Sequence, residues 1–343
     1  MPWPPPPSRA RTRVACAVAA KFGIGAGGPD VPRELHVVWM QGESALPPAL
    51  AAILKDNRAL AQRHGWRVRV WSAALVAALL EMHGETAWAA RFAELAAASS
   101  VHAAADYARY CLAYLKGGLV LDADARVLTD PFAVIEAAAR RVSEGRVGHG
   151  GVTVLGRTPL SHLSARLLTL GACVEHLSTA VIATSPSRAV WRVFIDSIPR
   201  VAPARLTDAA PPFGSLAAAA LGGGEMAGVL AAQRTTGSIY FTDFWLRAAA
   251  RGDAVVLPAA VFEPCRLDGK VCDVTPDTLV LHARSMSWLP SRTLALARAM
   301  SWHGGGASAA AGIGLVVVLL LALLAFVLMR GVRGVRGGEA AAR

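Results

Sequence analysis

The feature that most constrains this 343-residue chain is a short apolar run leading into two acids, residues 117–124, with the sequence Gly-Gly-Leu-Val-Leu-Asp-Ala-Asp. A continuous apolar run bounded by glycine is typical of a strand that is buried on both faces. Because side chains alternate along a strand, Asp122 and Asp124 are predicted to approach one object at its end. Two converging carboxylates raise each other's pKa unless a cation neutralises them, and their oxygen atoms suit Mg²⁺ or Mn²⁺. For an isolated pair with this spacing, a polar turn is the alternative interpretation.

The segment just before this strand has the pattern of a helix, residues 106–116. Asp106 and Arg109 are three residues apart and therefore share a helical face. Gly117 and Gly118 are predicted to end the helix and to let the chain reverse into the strand. This unit brings an acid and an arginine towards the two carboxylates. A surface Asp–Arg pair without a function is the alternative.

Residues 106–124 together resemble the signature D-x-x-R, G-G-x-Y-x-D-x-D of the sugar transferases that contain the DXD motif. These retaining enzymes include yeast initiating mannosyltransferases, inositol-phosphorylceramide mannosyltransferases and the large clostridial glucosylating toxins. The resemblance implies an α/β fold of the GT-A type, with a mainly parallel, doubly wound sheet. It also implies a metal-dependent retaining enzyme, with Mn²⁺ or Mg²⁺ as cofactor. Such an enzyme transfers a hexose from a nucleoside-diphosphate sugar to a lipid or glycan acceptor, and the resemblance favours mannose and GDP-mannose.

Two further stretches resemble elements of the same family. Residues 31–39 resemble its I-P-K-x-I-H-x-x-W opening, in which the first strand ends at the nucleotide. The apolar run 279–281 is followed by His282 and then by Ser287 and Trp288, as in the family's closing H-x-x-x-x-S-W. An imidazole at a strand end suits Mn²⁺ acceptably. For His282 alone, a buried core histidine is the alternative.

The resemblance gives each candidate residue a role. The expected metal ligands are Asp122, Asp124 and His282. The expected catalytic residues are Asp122, Asp124 and Trp288, of which Trp288 contacts the leaving diphosphate. The expected donor contacts are Trp39, Asp106, Arg109, Gly118, Val120 and Ser287. Relatives carry Tyr or Trp at the position of Val120 and use it to contact the ribose, so this departure is expected to affect donor affinity or donor choice.

The charge balance of the chain limits the kinds of binding partner that we expect. The chain has 35 Lys and Arg against 24 Asp and Glu, a formal net charge of +11. A basic balance can indicate nucleic-acid binding, but the sequence has no basic stripe interleaved with aromatic residues and no zinc-finger spacing. We therefore expect no nucleic-acid partner. A nucleotide-sugar diphosphate or an anionic membrane surface accounts for the charge.

Two other functional classes stay open at the level of sequence. A membrane-anchored relative without catalytic activity is favoured by Val120, whereas the presence of both aspartates argues against it. A phosphatase of the haloacid-dehalogenase type also places D-x-D after an apolar strand. That class requires Thr or Val two residues after the second acid, where this chain has Arg126.

The C-terminal part of the chain predicts a membrane anchor. Residues 311–329 carry no charge and are long enough to cross roughly 30 Å of hydrocarbon, and arginines follow at 330, 333 and 336. The predicted organisation is a disordered segment 1–30, a GT-A domain 31–300, a transmembrane helix 311–330 and a basic cytoplasmic tail 331–343. By the positive-inside rule the domain then lies in the lumen of the Golgi or another endomembrane compartment. A tail-anchored protein with a cytosolic domain is the alternative.

The cysteine pattern leaves the redox compartment open. No C-x-x-C spacing is present, so a zinc or redox site is not expected. Cys265 and Cys272 flank the turn signal Asp268-Gly269 and either pair in an oxidising lumen or stay as two thiols.

Deleting residues 307–343 is expected to give a soluble, active domain, because the apolar run serves as an anchor and contributes little to the core. The measurement is size-exclusion chromatography of the truncated chain, followed by an activity assay. Aggregation through exposed apolar surface would mean that the run packs on the domain instead.

Overall fold

The computed structural model describes residues 31–97, 101–144, 151–159, 175–199, 233, 235–250, 252–265 and 272–283. The predicted segments 1–30, 311–330 and 331–343 lie outside these ranges, as do Ser287 and Trp288. Among the described helices, none is long and apolar enough to cross a bilayer.

The described strands form two sheets. The central sheet contains β1 (Glu34–Val38), β2 (Arg67–Trp71), β3 (Gly118–Leu121), β5 (Thr153–Arg157), β6 (Leu177–Thr184) and β7 (Val255–Leu257), in the order β2-β1-β3-β6-β5-β7. Its pairs are parallel except for those of β6, which runs antiparallel to both β3 and β5. A small antiparallel sheet pairs β4 (Ala125–Val127) with β8 (Val280–His282). The predicted mainly parallel α/β sheet is therefore confirmed, with one reversed strand that was not predicted.

Helices cover both faces of the central sheet. The described α-helices are α1 (Pro48–His64), α2 (Ala73–Met82), α3 (Thr86–Ala97), α4 (Val101–Leu115), α5 (Phe132–Glu144), α6 (Ala189–Ser197), α7 (Ser238–Ala250) and the short α8 (Ala259–Phe262). Side-chain alternation along β3 shows the layering. Leu119 and Leu121 pack with residues of α1, α5 and α8, whereas Val120 packs with residues of α2, α3, α4, α6 and α7. The arrangement is a three-layer sandwich, as expected for a doubly wound sheet.

Two glycines connect helix α4 to the central strand β3. Gly117 and Gly118 have φ angles of 64° and 80°, in the left-handed region that ends the helix. A Cβ atom on Gly118 would lie 2.6 Å from the carbonyl oxygen of Glu34 on β1. Glycine at this position therefore permits both the turn and the close approach of the two strands, whose pairing places Leu119 opposite Leu35.

Gly118→Ala is expected to lower the free energy of unfolding by more than the roughly 1–2 kcal/mol that a left-handed alanine costs by itself, because the added methyl group also meets the β1 backbone. Gly84→Ala is the matched control. Its φ is 68°, but its Cβ would meet no atom within 4 Å. Urea denaturation of both variants separates the cost of the left-handed backbone from the cost of the contact with β1. Equal losses of unfolding free energy in the two variants would show that the contact with β1 adds no cost.

Candidate metal centre

The two acids of the D-x-D pair lie in a tight turn between β3 and β4. Strand β3 ends at Leu121, and the backbone N–H of Ala125 donates to the carbonyl oxygen of Asp122 over 3.0 Å. The N–H of Asp122 donates to the carbonyl oxygen of Ala180 on β6 over 2.9 Å. The predicted explanation, alternation along one strand, is therefore wrong for Asp124, since a turn rather than a strand brings the second carboxylate back to the first.

The small β4–β8 sheet places an imidazole beside both acids. Its register sets His282 opposite Ala125, and the N–H of Ala283 donates to the carbonyl oxygen of Asp124 over 3.0 Å. His282 Nε2 consequently lies 3.1 Å from Asp124 Oδ1 and 3.6 Å from Asp122 Oδ2. One ligand atom from each of the three residues lies within 4.8 Å of the others. The structure thus brings together the three side chains that the sequence predicts as ligands.

The chemistry and spacing of this cluster fit one divalent cation. Octahedral coordination at about 2.1 Å puts neighbouring ligand atoms about 3 Å apart and opposite ones about 4.2 Å apart. The three ligand atoms lie within 4.8 Å of one another, so a small contraction would bring them to these values. Two carboxylates suit Mg²⁺ and Mn²⁺, and the added imidazole favours Mn²⁺.

An arginine on α4 connects the acids of the turn to the helix. The Arg109 guanidinium donates to Asp122 Oδ1 through one terminal nitrogen and to Asp106 Oδ1 through the other. Its Nε is buried and has no hydrogen-bond partner among the described residues. The shared helical face of Asp106 and Arg109 was predicted, and the structure shows that it meets the end of β3.

Partial burial makes the charges of this site interdependent. Burial raises the pKa of the Asp122 carboxyl, while Arg109 and His282 oppose the rise. Burial, with a smaller contribution from Asp122, likewise raises the pKa of Asp106 to about 7 against the opposing charge of Arg109. Burial alone would lower the pKa of His282, but the carboxylates of Asp124 and Glu263 outweigh it and raise this pKa to about 10. Without a metal, the imidazolium therefore supplies positive charge between the acids.

Sequence analysis missed one acid beside the cluster, Glu263. Its side chain is 1% exposed, and its Oε1 lies 3.2 Å from His282 Nδ1 and accepts a hydrogen bond from the Ser178 hydroxyl. Ser178 stands at the start of the reversed strand β6. Glu263 lies in the segment Phe-Glu-Pro-Cys, which matches no motif, and only the pairing of distant segments reveals its position.

A buried amide on α1 holds the strand that follows the acids. Asn57 Nδ2 donates to the carbonyl oxygen of Ala125 over 3.0 Å, and Asn57 Oδ1 accepts from the N–H of Val127 over 2.8 Å. Both contacts satisfy backbone groups of β4. The amide therefore fixes β4, and with it the turn of Asp122 and Asp124, against α1.

The other predicted donor contacts are placed as follows. Trp39 directly follows β1, at the sheet edge where β3 reaches Asp122, and its Nε1 is buried without a hydrogen-bond partner among the described residues. Gly118 lies at the opposite end of β3, against β1. Val120 has no exposed surface, so a larger side chain there would have to displace the core. The donor contacts of Trp39, Gly118 and Val120 stay predictions, and Ser287 and Trp288 lie outside the described residues.

Comparisons with known proteins leave the family open. No protein-family model matches the chain, and no curated protein matches it. Among solved structures, the PaToxG glycosyltransferase is similar over 71% of this chain and 82% of its own, with 11% sequence identity and a TM-score of 0.33. A likeness at this distance carries no argument, so the functional case rests on the geometry of the site and on the sequence signature.

In the metal-free protein, the stability contributed by His282 is expected to be largest near pH 6 and to fall as the pH rises towards 10. The reason is that its folded pKa, about 10, lies above the unfolded value of about 6.5, so the folded state keeps a proton that the unfolded state has lost. The measurement is the melting temperature, in EDTA, of the wild type and of His282→Gln between pH 6 and pH 10.

The difference between these two proteins should shrink with rising pH. His83→Gln, which removes an exposed histidine, is the control and should track the wild type. A difference between wild type and His282→Gln that grows with pH would contradict the assigned direction.

Proposed function

We propose that the protein is a metal-dependent glycosyltransferase of the GT-A type, which transfers a sugar from a nucleoside-diphosphate donor to an acceptor. The observation that carries the proposal is the convergence of Asp122, Asp124 and His282 at the end of β3, with Arg109 bonded to the first of these acids. Ligands of open α/β sheets bind beyond the carboxyl ends of the strands. The resemblance of residues 106–124 to the signature of DXD sugar transferases supports the same function.

The residues of the site have different proposed roles, which follow from the chemistry of their side chains. Asp122, Asp124 and His282 would hold the cation, and its charge would serve to neutralise the negative charge that develops on the leaving diphosphate. Arg109 sits between Asp106 and Asp122 and holds both carboxylates in place. Asp106 is partly exposed beside this pair, in a position to accept a hydrogen bond from a sugar hydroxyl. Trp39 offers an aromatic surface at the same edge of the sheet for the nucleotide base.

The finer assignments rest on the signature, and the choice of ion rests also on the ligand set of Asp122, Asp124 and His282. They are retention of configuration, a hexose with mannose favoured, GDP-mannose as donor, a lipid or glycan as acceptor, and Mn²⁺ or Mg²⁺ as the ion. The charge-free run 311–329 supports a single-pass membrane protein whose catalytic domain lies in the lumen of the Golgi or another endomembrane compartment. The Cys265–Cys272 disulfide supports an oxidising compartment.

The experiment that tests the class of reaction is hydrolysis of a panel of nucleotide sugars by the purified chain, with and without Mn²⁺. A glycosyltransferase hydrolyses one donor slowly and needs the metal to do so. A phosphatase would release phosphate from simple esters, and a non-catalytic relative would leave every donor intact. Either of these results would overturn the proposal.

Asp122→Asn and Asp124→Asn are each expected to lower the metal-dependent rate roughly 100-fold or more, because losing a ligand charge at the diphosphate costs several kcal/mol of transition-state stabilisation. The control is Asp243→Asn, which removes a half-exposed surface acid that pairs with Arg247. Rates are measured at limiting Mn²⁺, with circular dichroism to show that the variants are folded. Near wild-type activity in either site variant would refute the metal assignment.

A further inference from the structure

A buried carboxylate on the far side of His282 requires an explanation. Glu263 is 1% exposed, and a buried carboxylate is costly unless it is paired and hydrogen-bonded. Its Oε1 faces His282 Nδ1 at 3.2 Å and accepts a hydrogen bond from the Ser178 hydroxyl. The carboxylate therefore contacts the imidazole through the ring nitrogen that does not face Asp122 and Asp124.

The two ring nitrogens of His282 have different partners. Nε2 faces Asp124 Oδ1 at 3.1 Å, on the side where the ligand atoms gather. Nδ1 faces Glu263, which as a carboxylate can only accept. When a cation takes the place of the Nε2 proton, the remaining proton on Nδ1 would be held by Glu263, and the lone pair of Nε2 would face the cation.

Glu263 is itself fixed on both sides. It directly follows the short helix α8, and its N–H donates to the carbonyl oxygen of Ala259 over 2.7 Å. Helix α8 is joined to the start of β8 because the N–H of Leu279 donates to the carbonyl oxygen of Val261 over 2.8 Å. On the other side, Ser178 Oγ accepts a hydrogen bond from the N–H of Ala180 over 2.9 Å, while its hydroxyl donates one to Glu263.

We propose that Glu263 is a positioning residue for the metal centre, which sets the tautomer and the ring orientation of His282 and is itself oriented by Ser178. Carboxylates that accept from the second nitrogen of a metal-binding histidine raise the basicity of that ligand and fix its direction. The inference rests on the metal site proposed above, but it concerns residues outside the ligand set.

The test is the dissociation constant for Mn²⁺ alone, measured by electron paramagnetic resonance of the free ion. Glu263→Ala is expected to weaken Mn²⁺ binding roughly 10- to 100-fold. Glu263→Gln keeps an acceptor oxygen but loses the charge, so its affinity should fall between those of the alanine variant and the wild type. Ser178→Ala should weaken binding less than Glu263→Ala, and it should have no further effect in the Glu263→Ala background, because Ser178 acts through Glu263.

The matched control is Thr278→Val, which loosens the same α8–β8 junction without touching His282. The Thr278 hydroxyl donates to the carbonyl oxygen of Ala260 over 2.8 Å. A purely structural role for Glu263 predicts that its variants lose thermal stability as Thr278→Val does and keep wild-type Mn²⁺ affinity. That result would overturn the inference, as would additive effects of the Ser178 and Glu263 changes.

A measurement on the wild-type protein covers the case in which the Glu263 variants fail to fold. With saturating Mg²⁺, which is diamagnetic, nitrogen-15 NMR of the histidine rings should show His282 protonated at Nδ1, with the signal assigned by its loss in His282→Gln. Protonation at Nε2 would overturn the inference. If the wild type binds neither Mn²⁺ nor Mg²⁺, the proposed metal site and this inference both fail, whereas wild-type binding with unaffected Glu263 variants overturns this inference alone.

Discussion

The electrostatic repulsion between Asp122 and Asp124 is the constraint on which the rest of the site depends. A turn holds the two carboxylates side by side in a partly buried place, where like charges are costly unless they are neutralised. The fold supplies compensation from two directions, because α4 brings Arg109 to Asp122 and β8 brings His282 within 3.1 Å of Asp124. A divalent cation would meet the same electrostatic demand, and the three candidate ligand atoms lie within 4.8 Å of one another.

Local sequence pattern was sufficient to predict the centre of this arrangement. The helix–glycine–strand unit of residues 106–121 forms as α4 and β3, because its signals lie within a few residues of one another. Three-residue spacing sets the common face of Asp106 and Arg109, the glycine pair ends the helix, and the apolar run predicts a strand covered on both sides. Apolar residues pack against both faces of β3, which confirms that the strand is covered on both sides.

Features that depend on distant segments could not be predicted from the sequence. Nothing in residues 177–184 indicates that β6 runs against its neighbours, since an apolar strand reads the same in either direction. Because β6 is reversed, its first residues rather than its last ones reach the site, and Ser178 arrives there for this reason. The position of Glu263 was unpredictable for the same reason. It depends on the contact of α8 with β8, and no sequence motif indicates that contact. The failure for Asp124 has a simpler cause, because β3 ends at Leu121 and the two acids after it lie in a turn.

The close approach at Gly118 also determines which residues of β3 can reach the proposed metal site. A Cβ atom on Gly118 would collide with the carbonyl oxygen of Glu34, so glycine here lets β3 lie against β1 in the register that pairs Leu121 with Val37. A slip of a single position would send Leu121 to the proposed metal site and turn Asp122 towards the other face of the sheet. The glycine at one end of the strand thus helps to fix the position of the acids that follow the other end. Inserting or deleting a residue between them would displace these acids, whereas the same change in a surface loop would leave them in place.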